Sequence, residues 1–151
     1  MYFDLVEFEQ YIHKNQTPNT PALSLLYATA VQGERITKET IERRWERHTQ
    51  MAEHTHSWVY ELRQRVGEAF SLYAPDDAYS STVTAVKVPE RLSPDAIVKA
   101  VATRGFVIGG GYGKLKSSTF RIGHMGDHTM EGLENVLEAT AESIEELLSV
   151  G

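Results

Sequence analysis

The chain has no cysteine among its 151 residues. This absence excludes disulfides, thiolate metal sites and a cysteine nucleophile. The chain also lacks any run approaching the roughly 20 apolar residues that span a bilayer. Its N-terminus has neither the basic region nor the long apolar core of a secretory signal. We therefore expect a cytoplasmic protein that makes no use of a membrane.

Positive charge is scarce as well. Lys and Arg number 15 against 21 Asp and Glu, which leaves a formal net charge of −6. Binding to nucleic acid needs clustered cations that neutralise phosphates. The one basic cluster, Arg43, Arg44 and Arg47, is interleaved with Glu42 and Glu46, which predicts a solvated helix face. The composition therefore argues against a general nucleic-acid partner.

The periodicity of the apolar residues predicts the elements of the fold. Helical spacing indicates helices over 22–32, 41–66, 94–104 and 129–149, and alternation or β-branched runs indicate strands over 70–73, 82–88, 106–108 and 119–122. Thr20 with Pro21, and Ser93 with Pro94, are typical of helix starts. Gly33 is expected to end the helix over 22–32, and Thr37 to cap the next helix. We predict an α+β fold, a small and mainly antiparallel sheet of three or four strands with long helices on one face.

The helix over 22–32 is apolar nearly all round. A helix of that kind is expected to be buried on every side.

Arg121 is the first candidate for chemistry. It lies between Phe120 and Ile122 in an alternating strand, just before Gly123 and Gly126. A guanidinium at a strand end offers a rigid fork of donors that matches a carboxylate or a phosphate. The alternative is a surface arginine in an ion pair at the end of the strand.

A glycine run precedes that strand, at residues 109–113. It fails the P-loop pattern, because Leu115 follows Lys114 where Ser or Thr is required, and it also fails the dinucleotide fingerprint. We expect a tight connection between two strands. The other interpretation is a site loop, with Gly110, Gly111 and Tyr112, whose backbone approaches a ligand closely.

The six histidines show no set of three convergent ligands by spacing, so we predict no metal site. His48 lies on the apolar stripe of the long helix, which favours a buried, hydrogen-bonded core histidine. No Ser-His-Asp arrangement is visible. Gln16 and Thr17 precede a predicted helix start, which suits either a phosphate or simple helix capping.

Five stretches taken together resemble the C-terminal part of the class V pyridoxal-phosphate aminotransferases, the family of serine–glyoxylate, alanine–glyoxylate and serine–pyruvate aminotransferases. They appear in the family's order and lie at residues 16–27, 44–48, 81–86, 109–116 and 120–126. The resemblance implies the small C-terminal domain of aspartate-aminotransferase-like enzymes. Residues 35–151 would form this domain, and residues 1–34 would belong to, or link with, the large cofactor domain.

The resemblance also implies roles for individual residues. Arg121 matches the arginine that binds the α-carboxylate of the substrate. Gln16 and Thr17 match a segment that reaches the cofactor phosphate of the neighbouring subunit in a homodimer. The lysine that forms the Schiff base with pyridoxal 5'-phosphate matches no residue of this chain, so we expect no catalytic residue, no bound cofactor and no activity in the chain alone.

Two hypotheses follow. In the first, the parent enzyme moves an amino group between a small amino acid, of the serine, alanine or aspartate type, and a 2-oxo acid such as glyoxylate or pyruvate. In the second, the chain is a stand-alone, non-catalytic module that binds a carboxylate ligand or a partner protein.

Overall fold

The chain forms five α-helices and a four-stranded sheet in a computed structural model that describes residues 4–150. The helices are α1 (Leu5–Ile12), α2 (Leu23–Glu39), α3 (Ile41–Val66), α4 (Pro94–Thr103) and α5 (Met130–Val150), and the strands are β1 (Ser71–Leu72), β2 (Val83–Lys87), β3 (Gly109–Gly110) and β4 (Thr119–Gly123). The chain divides into two compact units, one ending at Ile41 and the other beginning at Glu42. None of the helices within the described residues has the length and apolar character that crossing a membrane requires.

The first unit contains α1 and α2. The Asp4 carboxylate caps α1 by accepting hydrogen bonds from the backbone of Val6 and Glu7, at 3.1 and 3.2 Å. The start of α2 was predicted wrongly. Its first residue is Leu23, and its N-cap is Ala22, which makes no side-chain hydrogen bond. The Pro21 ring therefore lies before the helix and not at its first position.

The predicted end of α2 at Gly33 is also wrong. The helix continues to Glu39, and the Thr37 hydroxyl donates to the Gly33 carbonyl at 2.9 Å inside the helix instead of capping a new one. A single glycine costs a helix only about 1 kcal/mol relative to alanine, so the flanking residues carry the helix through it. The break comes at Thr40, whose φ of 71° ends the helical path.

The apolar character of α2 does not lead to burial within this chain. None of its residues is buried, and Leu25 and Tyr27 are 67% and 72% exposed. The prediction that α2 is buried on every side is therefore wrong for the described residues, because α1 and α2 are too few to cover a helix that is apolar all round.

The second unit contains the sheet, in the order β1-β2-β4-β3 with every pair antiparallel. Val86 is paired with Phe120, and Thr84 with Ile122, and all four are buried. Because neighbouring side chains on a strand point to opposite faces, these four residues share one face, which is the core face. The predicted α+β fold with an antiparallel sheet is confirmed.

The third strand lies later in the chain than predicted. Gly109 and Gly110 pair with Arg121 and Phe120, whereas residues 106–108 lie outside the ladder. The glycine run therefore begins as a strand and is not wholly a connection. Strand propensity reflects how side chains pack, so it predicts a strand at Val107 and Ile108. The two glycines have no side chain that could give such a signal, and their backbone alone forms the ladder.

Three helices complete the core of the second unit. As predicted, α4 begins with Pro94 after Ser93, whose hydroxyl accepts from the Ala96 backbone at 3.4 Å. The core cluster joins residues of α3, α4 and α5 to the buried sheet face, and its fully buried members include Met51, Val59, Ile97, Val101, Phe120, Ile122 and Ile144.

Candidate functional site

Arg121 lies on β4 with its side chain on the face opposite the core. Its neighbours Phe120 and Ile122 are fully buried, while Arg121 itself is exposed. The predicted alternation is confirmed by this pattern. The Nε–H group donates to the Gly110 carbonyl on the adjacent strand, at 2.8 Å. Within residues 4–150 this carbonyl is the hydrogen-bond partner seen for the guanidinium, and no ion pair involves it.

Gly109 of β3 lies directly beside that side chain. Gly109 is the register partner of Arg121, and a Cβ added at Gly109 would lie 3.4 Å from the Arg121 Nε and 3.5 Å from its Nη2. The guanidinium therefore lies against the β3 backbone, where a Cβ at position 109 would be in van der Waals contact with it. The Gly110 carbonyl holds Nε, which leaves the two terminal nitrogens of the fork for a ligand.

A cavity of about 340 Å³ adjoins Arg121. Its wall is mainly apolar, with Arg121 and His128 as its nitrogen-bearing side chains and no carboxylate among the lining residues. The size is at the lower end of ligand pockets in proteins, which measure about 300–1,000 Å³. One cationic fork in an acid-free, apolar cavity of this size suits a small carboxylate.

A larger cavity, of about 560 Å³, lies near the start of α4 and does not include Arg121. It brings Glu90 and Asp95 together with Arg91 and Lys116. Because its rim carries charges of both signs, this cavity favours neither an anionic nor a cationic ligand. We assign it no role.

The end of β4 is anchored by His124, which is fully buried. Its Nδ1 donates to the Ser81 carbonyl at 3.2 Å, so Nε2 is left to accept from the Thr84 hydroxyl at 2.9 Å. Burial lowers the pKa of His124 below its ordinary value of 6.5, against the smaller opposing effect of the Ser81 carbonyl. Because both ring nitrogens of the neutral His124 are hydrogen-bonded inside the fold, we assign this residue a structural role. Within the described residues no three His, Asp or Glu side chains are grouped as metal ligands.

The interpretation of the basic cluster on α3 as a solvated face is wrong for Arg44, which is only 8% exposed and pairs with Asp127 at 2.8 Å. Arg47 is half-buried and donates to the Gly126 carbonyl at 3.1 Å. His48 is buried, as predicted, with its Nε2 3.3 Å from the same carbonyl. One signal was available, because positions 44, 47 and 48 share a helix face with the apolar stripe.

Gln16 and Thr17 lie in the first unit, and both are exposed. The Thr17 hydroxyl donates to the Asn19 carbonyl at 2.8 Å, and the Gln16 backbone donates to the Tyr11 carbonyl at 3.0 Å. Thr17 also lines a cavity of about 510 Å³ with residues of α1 and α2. The phosphate role of both residues stays a prediction, as does the role of the loop with Gly111 and Tyr112.

Comparison with known proteins identifies the relatives of this chain. No family model matches it. It is 34% identical over 128 residues to an uncharacterised aminotransferase of Methanocaldococcus jannaschii, covering 83% of the chain and 31% of that protein. It is 31% identical to the L-aspartate–glyoxylate aminotransferase of Paracoccus denitrificans, covering 85% and 31%. A soluble hydrogenase small subunit of a Synechococcus strain is 30% identical, covering 83% and 31%.

Solved structures agree with these relatives. Pyridoxamine–pyruvate aminotransferase from Mesorhizobium loti superposes with a TM-score of 0.77 at 26% identity, covering 85% of the chain and 32% of that structure. An aspartate aminotransferase of subgroup IV from Thermus thermophilus superposes with a TM-score of 0.73 at 26% identity, covering 96% and 39%. Over most of its length the chain is similar to one portion of these aminotransferases.

The chain spans 31% of the length of each of the curated relatives named above. The activity, substrates and partners of a whole enzyme therefore do not follow from the match alone. The relatives favour an aminotransferase domain over a stand-alone binding module.

Proposed function

We propose that this chain is the substrate-carboxylate-binding portion of a pyridoxal-phosphate aminotransferase. The whole enzyme transfers an amino group between a small amino acid, of the serine, alanine or aspartate type, and a 2-oxo acid such as glyoxylate or pyruvate. The names of the aminotransferase relatives support the reaction class. The observation that carries the proposal is the Arg121 guanidinium, held at Nε and lying beside an acid-free cavity.

In this proposal Arg121 binds the α-carboxylate of the substrate. A guanidinium fork makes two parallel hydrogen bonds to a carboxylate, which fixes its orientation as well as its position. Holding the carboxylate in one orientation also orients the Cα–H bond for proton removal, and such positioning is a large part of catalysis. The apolar wall next to Arg121 lowers the local dielectric on one side of the ion pair and so strengthens it.

The cofactor, when bound, supplies the electron sink for the reaction. Residues of this chain suit its phosphate rather than its reactive carbonyl. Gln16 carries an exposed amide donor, which matches the acceptor oxygens of a phosphate. The exposed Thr17 hydroxyl would reach a phosphate oxygen by exchanging its hydrogen bond to the Asn19 carbonyl. We propose that they contact the cofactor of a neighbouring subunit in a homodimer. The exposed apolar side chains of α2 support association, because large wet apolar patches mark interaction surfaces.

The carboxylate role can be tested on the chain itself by NMR. Titration of the ¹⁵N-labelled chain with pyruvate should shift the Arg121 Nε–Hε resonance and the amides of Gly109 and Gly110 in a saturable way. The neutral analogue pyruvamide should bind at least about tenfold more weakly, since a guanidinium–carboxylate pair is worth more than about 1.4 kcal/mol at such a site. Arg121→Gln should abolish the pyruvate response.

Arg63→Gln is the matched control, because Arg63 is an exposed arginine of the same unit, on α3. An equal response in Arg121→Gln and in the control would refute the carboxylate role. We also propose that the chain alone has no transaminase activity. Glycine formation from glyoxylate and L-serine above the rate given by free pyridoxal phosphate would contradict this.

A further inference from the structure

The segment that follows the Arg121 strand is held by one face of α3. Three side chains of that face converge on the carbonyl oxygen of Gly126. The Arg44 Nη1 lies 3.1 Å from it, the Arg47 Nη2 3.1 Å and the His48 Nε2 3.3 Å. Arg47 and His48 come three and four positions after Arg44, so both share its side of the helix. The carbonyl can only accept, so His48 carries its proton on Nε2 in this contact.

Two further hydrogen bonds extend the same contact along the segment. The Arg44 Nη2 donates to the Asp127 carboxylate at 2.8 Å, and the Arg47 Nη1 donates to the His128 carbonyl at 2.6 Å. Each arginine therefore bridges two consecutive or nearby residues with its two terminal nitrogens. Hydrogen bonds from a charged donor are stronger than neutral ones, and a rigid fork holds the spacing of its two acceptors.

The backbone of the segment supports this reading. Gly126 has φ +69°, a left-handed conformation that L side chains rarely adopt. The same short segment carries Met125 and His128, two residues that line the cavity beside Arg121. The position of part of the cavity wall is therefore set by contacts that come from α3, more than 75 residues earlier in the chain.

We propose that Arg44, Arg47 and His48 form a positioning cluster for the carboxylate site. They hold residues 125–128 so that the cavity beside Arg121 keeps its shape. The inference rests on the proposed function for the identity of the ligand, but the mechanical part concerns the segment alone. Arg47 is the informative member, because it is half-buried and its substitution removes two hydrogen bonds to the segment without emptying the core.

The test compares Arg47→Met, Arg47→Lys and His48→Leu with Arg63→Met in the full ¹⁵N-labelled chain. Arg63 is on the same helix and is exposed, so its substitution controls for a general loss of charge. Three quantities are measured: hydrogen exchange of the amides of residues 125–128, the position of the Arg121 Nε–Hε resonance, and the Kd for pyruvate.

In Arg47→Met and His48→Leu we expect the segment to exchange about tenfold faster, as for the loss of one or more strong hydrogen bonds. The Arg121 resonance should move, and the Kd for pyruvate should rise about fivefold. Arg47→Lys should recover part of each effect, because an ammonium still donates to one of the two carbonyls. Arg63→Met should leave all three quantities unchanged. If the cluster had only a structural role, Arg47→Met and His48→Leu would lower the melting temperature but would not move the Arg121 resonance of the folded chain.

Unchanged exchange of residues 125–128 and an unchanged Arg121 resonance in both Arg47→Met and His48→Leu would overturn the positioning cluster. The proposed function fails differently. If the unsubstituted chain shows no response to pyruvate, the carboxylate role is contradicted, while the exchange rates and the Arg121 resonance still decide the inference.

Discussion

The two units of this chain carry similar apolar residues but use them in opposite ways. In residues 4–41 neither α1 nor α2 has a buried residue, and Leu23, Leu25 and Leu26 are each more than half exposed. In the second unit α3 alone buries eight residues, and a single core joins three helices to one sheet face. An apolar face shows that a helix needs a covering surface. Whether the same chain supplies that surface depends on how many elements fold beside it.

The hydrogen bonds of the two units differ in the same sense. In the first unit the hydroxyls of Thr17, Thr29 and Thr37 bond to carbonyls two to four residues away. In the second unit Arg44 and Arg47 reach residues about 80 positions away. Local bonds stabilise a helix or a turn, whereas distant ones specify a tertiary arrangement, and the distant bonds of Arg44 and Arg47 lie in the unit that contains Arg121.

The sharpest way to break this comparison is to truncate one leucine in each unit. Leu137 is 2% exposed and Leu25 is 67% exposed. We expect Leu137→Ala to lower the free energy of unfolding by roughly 3 kcal/mol, because it leaves a cavity in the core. Leu25→Ala should lower it by less than about 0.5 kcal/mol. Urea unfolding measures both free energies. The protein concentration is chosen from the range over which the midpoint of the transition stays constant.

Leu25→Ala should instead weaken self-association of the chain, as measured by sedimentation equilibrium. A loss of stability from Leu25→Ala comparable to that from Leu137→Ala would show that α2 belongs to a core of this chain after all.

A second way to break the comparison is to replace one glycine by alanine in each unit. A Cβ at Gly111 would clash with the Leu115 carbonyl and lie 2.7 Å from the Thr119 hydroxyl, whereas one at Gly33 would meet nothing within 4 Å. We expect Gly111→Ala to destabilise the second unit by about 2 kcal/mol through overpacking. Gly33→Ala should stabilise α2 by about 0.5–1 kcal/mol, since alanine is the better helix former.

Urea unfolding measures the expected loss of stability in Gly111→Ala. Circular dichroism of the helical signal measures the expected gain in Gly33→Ala. Gly110→Ala is the control for the glycine run, because a Cβ there also meets nothing within 4 Å. Equal losses from Gly110→Ala and Gly111→Ala would mean that the run needs flexibility and not the space beside Leu115.

The smallest expected effect is on the pH dependence of stability. Burial lowers the pKa of His124 in the folded chain, so the unfolded state binds the proton more readily. The stabilisation from neutral His124 is then complete above its ordinary pKa of 6.5 and is lost as the pH falls through the lower pKa of the folded state. His124→Gln should flatten the slope of unfolding free energy against pH between about 7 and 5.

An identical slope before and after His124→Gln would show that protonation of His124 does not oppose folding.

Much of the second unit was predictable because its signals are local. The alternation of Phe120, Arg121 and Ile122 places the arginine opposite the core in any antiparallel sheet. Ser93 and Pro94 start a helix through their own backbone neighbours. These features need only a few consecutive residues, and they were predicted correctly. The carboxylate role of Arg121 came from resemblance as well as from chemistry, and it awaits its experiment.

The failures share a different cause. Gly33 and Thr37 looked like a helix end and a new cap, but the propensity of one glycine is too weak to stop seventeen helical residues. Arg44 looked like a surface charge among glutamates, but the segment at Gly126 and Asp127 covers it. No window of sequence contains both sides of such a contact.

By itself the sequence determined the period of each long element, the face on which Arg121 stands and the absence of thiol chemistry, because each depends on neighbouring residues or on composition. Only the tertiary structure decided that Gly109 and Gly110 form the strand beside the guanidinium and that side chains of α3 donate hydrogen bonds to the Gly126 carbonyl. It also decided that α2 stays exposed within this chain. The physical reason is that these outcomes depend on which distant surfaces meet, and burial and hydrogen bonding act only once they do.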